Sequence, residues 1–537
     1  MTLVSEIVAR RLRLPVPQTT DVLVEADLPV RADDGVVLLT NRYVPRTAAA
    51  GPNPTLLVRS PYGRAQAFGL LFGRLMAERG LQVVLQSVRG SFGSGGKFTP
   101  FQERADGLAT LRWLREQPWH DGRVGTAGMS YLGLTQWAIA DQPEIVAMAP
   151  QLTASSFHEA SYGGGSLSLD LTLTWMTLIG LQEERMGPLL LARALRGKIP
   201  ELLDHLPLDE LDDLALGEDV PYFHEWLRHP GPGDEYWDTR VFEGERDAST
   251  AAIQLLSGWN DLFTPSQFDD HEALVAAGKD VSLVVGPWSH AHPGALGTGL
   301  RETLAFMRKH LLGDDRMLRP GKVRVYVTGA REWRTYETWP PAGTTPQTLA
   351  PGGEGTVRFD PMDPTPAVGG PVLLGLKPIV DNAPLEARDD VLVLTGEPLD
   401  APLEVIGPVE ITVDVTASGP HFDVFARLCE VGADGVSRNV TDGLRRVEGE
   451  GDGAATPPDG SDEETGAPGP TRVAVRLWPV AHRFAAGSRL RLLLAGGAHP
   501  RFARNMGTDE DPALATDGVA VDLAFSGAEV SYMRNTP

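Results

Sequence analysis

Apolar positions in the first third of the chain follow two alternating rhythms. Runs such as VVLLTNRYVP and PTLLVRSPY are short and rich in β-branched residues, and they predict strands. AFGLLFGRLMAERG predicts a helix that ends at Gly80. ERADGLATLRWLREQP predicts an amphipathic helix with Leu108, Leu111 and Leu114 on one face. LQVVLQSV is almost continuously apolar, the pattern of a parallel strand buried on both sides. GRVGTAGMS and EIVAMAPQL read as two further strands, with a helix after Ser130 between them. Strands alternating with helices predict an α/β fold with a parallel sheet covered on both faces.

The rhythm changes twice. Residues 151–244 hold leucine-rich helical segments and few strand signals, so they read as a helical insertion. The α/β pattern resumes over 245–340 with STAAIQLLSGWND, KDVSLVVGPWSH, LRETLAFMRKHLLG and KVRVYVTG. WPPAGTTPQTLAPGGEG then reads as a linker. Over residues 345–537 short alternating runs such as VEITVDVTA and RLRLLLAGG recur between turn signals, the mark of an all-β jelly roll or sandwich. The stretch from Glu448 to Pro470 is acidic, holds many Gly and Pro and no large apolar residue, and reads as a disordered surface loop.

Composition narrows the function classes. With 71 acidic against 48 basic residues the formal charge is −23, a surface that repels phosphate backbones and anionic lipid. Neither nucleic acid nor a membrane is an expected partner, while a homo-oligomer stays open. No run of about 18 apolar residues occurs, and the first 20 residues lack an apolar core of signal-peptide length, so a cytoplasmic protein is expected. The single cysteine, Cys429, lies in the alternating run FDVFARLCEV and reads as a buried structural thiol.

The chemistry concentrates at GTAGMSYLGLTQWAIA. A strand, a turn with glycines, Ser130 and then a helix make the layout of a nucleophile elbow, in which Gly128 and Gly133 relieve crowding. The alternative is that Ser130 only caps the helix. The usual G-x-S-x-G is also imperfect here, because Leu132 stands at the second glycine position and Gly133 follows one place later. A serine nucleophile needs a base and an orienting carboxylate, in the order Ser, Asp or Glu, His. AAIQLLSGWND ends in a loop carrying Asp261, and VSLVVGPWSH ends in one carrying His290. His292 rivals His290, and Asp269 and Asp270 lie nearby but read as helical. The oxyanion would take the amide of Tyr131 and a donor from the loop RSPYGRAQ, where Tyr62 stands. GSFGSGGKF fails as a phosphate loop: Ser91 and Phe98 stand where Gly and Ser or Thr are needed. HAH at 290–292 has no acidic or cysteine cluster beside it, so no metal and no cofactor are expected.

Taken together, RSPYGR, QSVRGSFGSGGKF, DGRVGTAGMSYLG, SGWNDLF and GPWSH, followed by NVTDGLRR, RLWPVAHRFAAGSRLRL and HPRFARNMGT, resemble the cocaine esterase-like hydrolases. These are akin to the X-Pro dipeptidyl-peptidase (S15) family, which includes α-amino-acid ester hydrolases and cephalosporin acylases. The resemblance spans nearly the whole chain, and it accounts for Leu132, since such proteins carry their second glycine where Gly133 stands. It implies Ser130 as nucleophile, His290 as base, Asp261 as its orienter, and the Tyr62 hydroxyl and Tyr131 amide as oxyanion hole. It also implies an α/β-hydrolase core over 1–150 and 245–340, a helical cap over 151–244 and a C-terminal jelly roll over 345–537. One departure is Ser87, where the family often has Asp.

The expected activity is therefore a serine hydrolase that cleaves a small-molecule acyl ester or amide through an acyl-enzyme, with Phe157, Trp175 and Phe263 as candidate pocket residues. X-Pro dipeptidyl-peptidase or α-amino-acid ester hydrolase activity is the alternative. The cap acids Glu183, Glu184, Asp212 and Asp213 bear on it, although charges on helices are usually solvated. A non-catalytic carbohydrate-binding protein is a remoter alternative.

Overall fold

A computed structural model describes residues 3–46, 48, 51–184, 186–371, 373–374, 377–449 and 469–535. The chain divides into two compact units, Met1–Phe157 with Glu235–Val325, and His158–Asp234 with Tyr326–Pro537.

The first unit is built on a mixed sheet. Its strands are β1 (Val22–Arg31), β2 (Val37–Pro45), β3 (Asn53–Ser60), β4 (Gln82–Ser87), β5 (His120–Met129), β6 (Ile145–Gln151), β7 (Ala252–Asn260), β8 (Val281–Ser289) and β9 (Val323–Val327). Their spatial order is β1-β2-β4-β3-β5-β6-β7-β8-β9. Among these nine, β1–β2 and β2–β4 pair antiparallel, and from β4 to β9 every pairing is parallel. After β3 the chain steps to one side to form β4, then crosses to the other side to form β5. That reversal leaves a crevice beyond the carboxyl ends of β3 and β5, the place where open α/β sheets bind ligands. Tyr62 follows β3, and Ser130 follows β5.

The core of this sheet is apolar and tightly layered. Leu56, Val58, Val83, Leu85, Ala127, Ala147 and Ala149 pack with Leu300, Leu304, Met307 and Leu311 of helix Pro293–Leu312. Gly125 lets that helix approach, because a Cβ there would lie 2.7 Å from Met307 Sδ. The helix begins at Pro293, earlier than the apolar rhythm alone suggested.

Two readings of the sequence need correction. The helix expected through Gly80 is not regular: α-helical turns at Gln66–Phe68 and Leu75–Ala77 flank a π-helical stretch, Gly69–Arg74. This stretch packs closely on Tyr43 of β2. Its ring lies where a Cβ on Gly73 would be, 2.5 Å away, and its hydroxyl lies 2.6 Å from the position of a Cβ on Gly69, while it donates to the Arg64 carbonyl at 3.1 Å. The segment read as a linker after Trp339 contains a strand, Thr345–Leu349, which pairs antiparallel with Val521–Asn535. Its exposure on nearly every residue hid it, since an edge strand has no apolar face to betray it.

The second unit holds the helices of the cap, among them Leu169–Leu181, Gly187–Arg196, Leu211–Leu216 and Pro221–Arg228, together with the all-β C-terminal part. Two antiparallel sheets form that part. One orders Thr345–Leu349, Val521–Asn535, Leu403–Ala417 and Thr471–Phe484, with Gly355–Phe359 also on Val521–Asn535. The other orders Val391–Pro398, Arg489–Ala495, His421–Val431 and Ser437–Glu448. Alternate residues of both, such as Val413 and Val475 from one and Val424 and Leu492 from the other, share one core. This is the α/β-hydrolase core, helical cap and C-terminal jelly roll expected from sequence. Cys429 is buried, and burial pushes its thiol up to about 12. Residues 450–468, most of the acidic loop, lie outside the described residues.

The Tyr43 contact yields a signed prediction. In an exposed helix Gly→Ala gains about 1 kcal/mol, but Gly73→Ala drives a Cβ into the Tyr43 ring and is expected to lose about 1–3 kcal/mol in urea unfolding. Combining it with Tyr43→Ala should make the Gly73→Ala step neutral or favourable.

Candidate active site

Ser130 stands at a strained corner. Its backbone has φ 58°, ψ −128°, a combination that non-glycine residues rarely adopt and that tends to mark functional sites. Its amide donates to the Gln151 carbonyl of β6 at 2.9 Å, and its carbonyl receives the amides of Gly133 at 2.7 Å and Leu134 at 3.2 Å. The turn closes only because its neighbours are small. Gly128 has φ 151°, and a Cβ there would overlap the Leu132 side chain; a Cβ on Gly133 would overlap Thr153. Helix Tyr131–Trp137 follows at once, yet the Ser130 side chain makes no capping hydrogen bond to it. Helix capping therefore does not explain the serine.

Asp261 and His290 meet as the strand ends predict. Both follow neighbouring parallel strands, with Asn260 of β7 opposite Ser289 of β8. His290 Nδ1 and Asp261 Oδ2 are 2.6 Å apart. Asp261 is fully buried, and its other oxygen accepts from the Phe263 amide at 2.9 Å. An Asp carboxylate accepts only, so His290 Nδ1 carries the proton and Nε2 is left as the basic nitrogen. The rival His292 has a different job. It precedes helix Pro293–Leu312, and its Nδ1 accepts from the Gly294 amide at 3.0 Å as an N-terminal cap. Asp269 and Asp270 lie on helix Thr264–Ala276, as expected.

Aromatic rings connect the two ends of the group. Phe263 lies 5.6 Å from the His290 ring, Phe157 lies 4.3 Å from Phe263, and Tyr131 lies 6.5 Å from Phe157, centroid to centroid. Of the three candidate pocket residues, Phe263 thus stands beside His290 and Phe157 packs on Phe263. The third, Trp175, belongs to an aromatic group within the helical segment, 5.9 Å from Trp226 and 6.1 Å from Tyr222. Tyr62 is half-buried in the loop after β3, its ring stacked 5.4 Å from Phe68. β3 pairs directly with β5, so the Tyr62 loop neighbours the Ser130 corner.

Several supporting residues escaped the sequence. The Tyr131 hydroxyl donates to Glu103 Oε1 at 2.8 Å and accepts from the Phe101 amide at 2.9 Å. That pins the side chain of the residue after Ser130 and thereby fixes its amide. Burial raises the Glu103 carboxyl above its usual range, against the pull of Arg59, whose guanidinium pairs with it at 2.9 Å. Arg59 in turn donates to Gln86 at 2.9 Å. The signal was available: an arginine inside the apolar run TLLVRS must find a buried partner. On the other side, Asp270 receives the Ser155 amide at 2.8 Å and hydroxyl at 2.5 Å, and pairs with Arg246 at 2.9 Å. Burial raises that carboxyl to about 6. This holds the turn that leads to Phe157. Ser87, the departure from the family pattern, accepts from Arg64 Nη1 at 3.2 Å, and Asp27 supplies the carboxylate that pairs with Arg64. Gly90 of GSFGSGGKF serves packing, since a Cβ there would collide with the Phe98 backbone.

A serine at an elbow, a buried Asp–His pair and a mixed, mainly parallel sheet define the class as α/β-hydrolase. Comparisons with known proteins agree. Residues 34–292 match the X-Pro dipeptidyl-peptidase (S15) family, and residues 317–529 match the X-Pro dipeptidyl-peptidase C-terminal non-catalytic domain. The cocaine esterase of Rhodococcus sp. (strain MB1 Bresler) is 31% identical over 90% of this chain and 92% of its own. Among solved structures, an α-amino acid ester hydrolase superposes with TM-score 0.77 at 19% identity, and an aminopeptidase from a marine sediment Thaumarchaeota archaeon with 0.75 at 19%; each pairing covers 97% of this chain and 98% of the other. These two likenesses bear on fold. The chain belongs to the X-Pro dipeptidyl-peptidase (S15) family, among its cocaine esterase-like hydrolases, and is a hydrolase. Among the described residues no helix is long and apolar enough to cross a membrane.

Breaking the buried pair under Tyr131 should be costly. Glu103→Gln leaves Arg59 charged and uncompensated in the interior, and is expected to lose about 3–5 kcal/mol of stability, read by denaturant unfolding. A loss under about 1 kcal/mol would show that Arg59 finds another partner.

Proposed function

We propose that this chain is a serine esterase that hydrolyses small-molecule acyl esters through an acyl-enzyme, with Ser130 as nucleophile, His290 as general base and acid, and Asp261 as its orienter. The observation that carries the reading is the 2.6 Å contact between His290 Nδ1 and the fully buried Asp261, which leaves Nε2 as the base. The strained, uncapped Ser130 supports it.

His290 Nε2 takes the Ser130 hydroxyl proton while Oγ attacks the ester carbonyl carbon. The carbonyl π electrons move to oxygen, and the resulting oxyanion is met by the Tyr131 amide and the Tyr62 hydroxyl. Such donors act without reorganisation, because Tyr131 is already anchored through Glu103. Asp261 stabilises the imidazolium that forms but stays ionised. The intermediate collapses, the C–O bond to the alcohol breaks, and His290 gives its proton to the departing alkoxide. Water then attacks the acyl-enzyme as His290 removes its proton. A second collapse returns that proton to Ser130 and releases the acid. Phe263, beside the imidazole, and Phe157, packed on Phe263, offer an apolar surface suited to the non-polar part of an ester. We read the chain as three parts: the catalytic domain over 1–150 and 245–340, the cap over 151–244 and the jelly roll over 345–537.

An amide or dipeptide substrate is the second reading, carried by the match to the X-Pro dipeptidyl-peptidase family over residues 34–292. Hydrolysis of a short-chain nitrophenyl ester should be compared with that of an Ala-Pro anilide. The esterase reading expects turnover of the ester alone. Efficient anilide cleavage would move the protein to the peptidases.

Variants separate the roles. Ser130→Ala and His290→Ala should each lower kcat for the ester by about 10⁴- to 10⁶-fold. His292→Ala should cost less than about tenfold in kcat and about 1 kcal/mol in stability, as the loss of a cap does. If His292→Ala were as damaging as His290→Ala, the assignment of the base would be wrong.

The oxyanion assignment has its own test. Tyr62→Phe keeps the ring and its stacking on Phe68 and removes only the donor. Its kcat should fall about 10²- to 10³-fold with KM nearly unchanged. An unchanged kcat would leave Tyr62 as packing.

A further inference from the structure

The helical segment contains one convergence of side chains that hydrolysis does not use. Asp212 lies on helix Leu211–Leu216, which ends at Gly217 in the left-handed conformation. The chain turns through Asp219 and re-enters helix Pro221–Arg228, on which His224 lies. His224 Nε2 sits 3.0 Å from Asp212 Oδ2 and 2.9 Å from Asp219 Oδ1, and the three atoms all lie within 4.8 Å of one another. Exposure is graded: the Asp212 side chain is 2% exposed, His224 23% and Asp219 77%.

Two physical points make this more than a pair of surface contacts. First, a buried carboxylate needs a countercharge or a metal. The stretch from Asp209 to Arg228 carries seven carboxylates and a single Lys or Arg, Arg228, which pairs with Glu225 at 2.6 Å. Among the described residues neither Asp212 nor Asp219 has a Lys or Arg partner; Asp212 has the Val220 amide at 2.6 Å and His224. Charge compensation inside the turn falls to His224 or to a bound cation. Second, ligand bonds of about 2.0–2.1 Å set neighbouring donor atoms about 3 Å apart; His224 Nε2 stands at that spacing from each carboxylate oxygen, and the two oxygens lie within 4.8 Å of each other.

We propose that Asp212, Asp219 and His224 bind a divalent transition-metal cation of the zinc or manganese class, which clamps helix Leu211–Leu216 to helix Pro221–Arg228. Two carboxylates with one imidazole suit these ions better than calcium or magnesium, which favour all-oxygen shells. On binding, neutral His224 offers the Nε2 lone pair and any proton held there leaves to solvent. Asp212 supplies the buried ligand, exposed Asp219 closes the site, and water completes the coordination. The role is structural, within the cap, and does not depend on the identity of the nucleophile.

The full-length protein, stripped with a chelator, should be titrated with ZnCl₂, MnCl₂ and MgCl₂ by calorimetry, with thermal unfolding in parallel. Saturable binding of one equivalent of Zn²⁺ or Mn²⁺ and a rise in Tm are expected, without a response to Mg²⁺ at the same concentration. Asp219→Asn changes an exposed side chain, so folding should survive; it and His224→Gln should weaken binding at least about tenfold. The Co²⁺ form should show visible absorption that His224→Gln abolishes. No saturable binding, or binding that both variants leave unchanged, would overturn the proposal and reduce His224 to a polar contact between two carboxylates.

Discussion

The corner after β5 is built on an unfavourable backbone conformation at Ser130. A side chain held at φ 58°, ψ −128° costs about 1–3 kcal/mol relative to a relaxed conformation, so Ser130 stays there only because its surroundings leave no alternative. Strand β5 delivers it from one side, and helix Tyr131–Trp137 begins at the next residue. Hydrogen bonds to Gln151, Gly133 and Leu134 fix its backbone, and Gly128 and Gly133 leave room where any Cβ would collide. The strain has a use. It lifts a hydroxyl out of the helix-capping geometry that a serine at this position would otherwise adopt.

Buried charge stabilises the two flanks of that corner. On one side Tyr131 is tied to Glu103 and through it to Arg59. On the other, Asp270 and Arg246 hold Ser155 and so the turn leading to Phe157. Such pairs contribute little net stability compared with apolar packing, yet losing one partner is expensive, so they specify one arrangement of the chain. They fix two places that the proposed mechanism uses: the Tyr131 amide and the turn at Phe157.

Much of this was legible in the sequence, for a physical reason. Ser130, Asp261 and His290 each follow an apolar run of strand length, and in a parallel sheet carboxyl ends of strands gather at one edge. Order along the chain therefore gave the meeting of Asp261 and His290, whose side chains stand 2.6 Å apart. Pairing between side chains was less legible. Arg59 announced a buried partner, but nothing local named Glu103, 44 residues away. The close packing of Tyr43, from a different strand, on Gly69 and Gly73 was not visible locally, and the exposed strand Thr345–Leu349 lacked the apolar face that makes a strand visible. Asp212 read as a solvated helix charge and is buried, because the turn after Gly217 folds His224 over it.

The central claim is that Ser130 is a nucleophile activated by His290. It is tested most directly by reacting the protein with a fluorophosphonate and locating the adduct by peptide mass mapping. The account predicts one adduct per chain, on Ser130, forming rapidly in the wild type and far more slowly when His290 is replaced by alanine. An adduct on another residue, or labelling of Ser130 that is indifferent to His290, would contradict it.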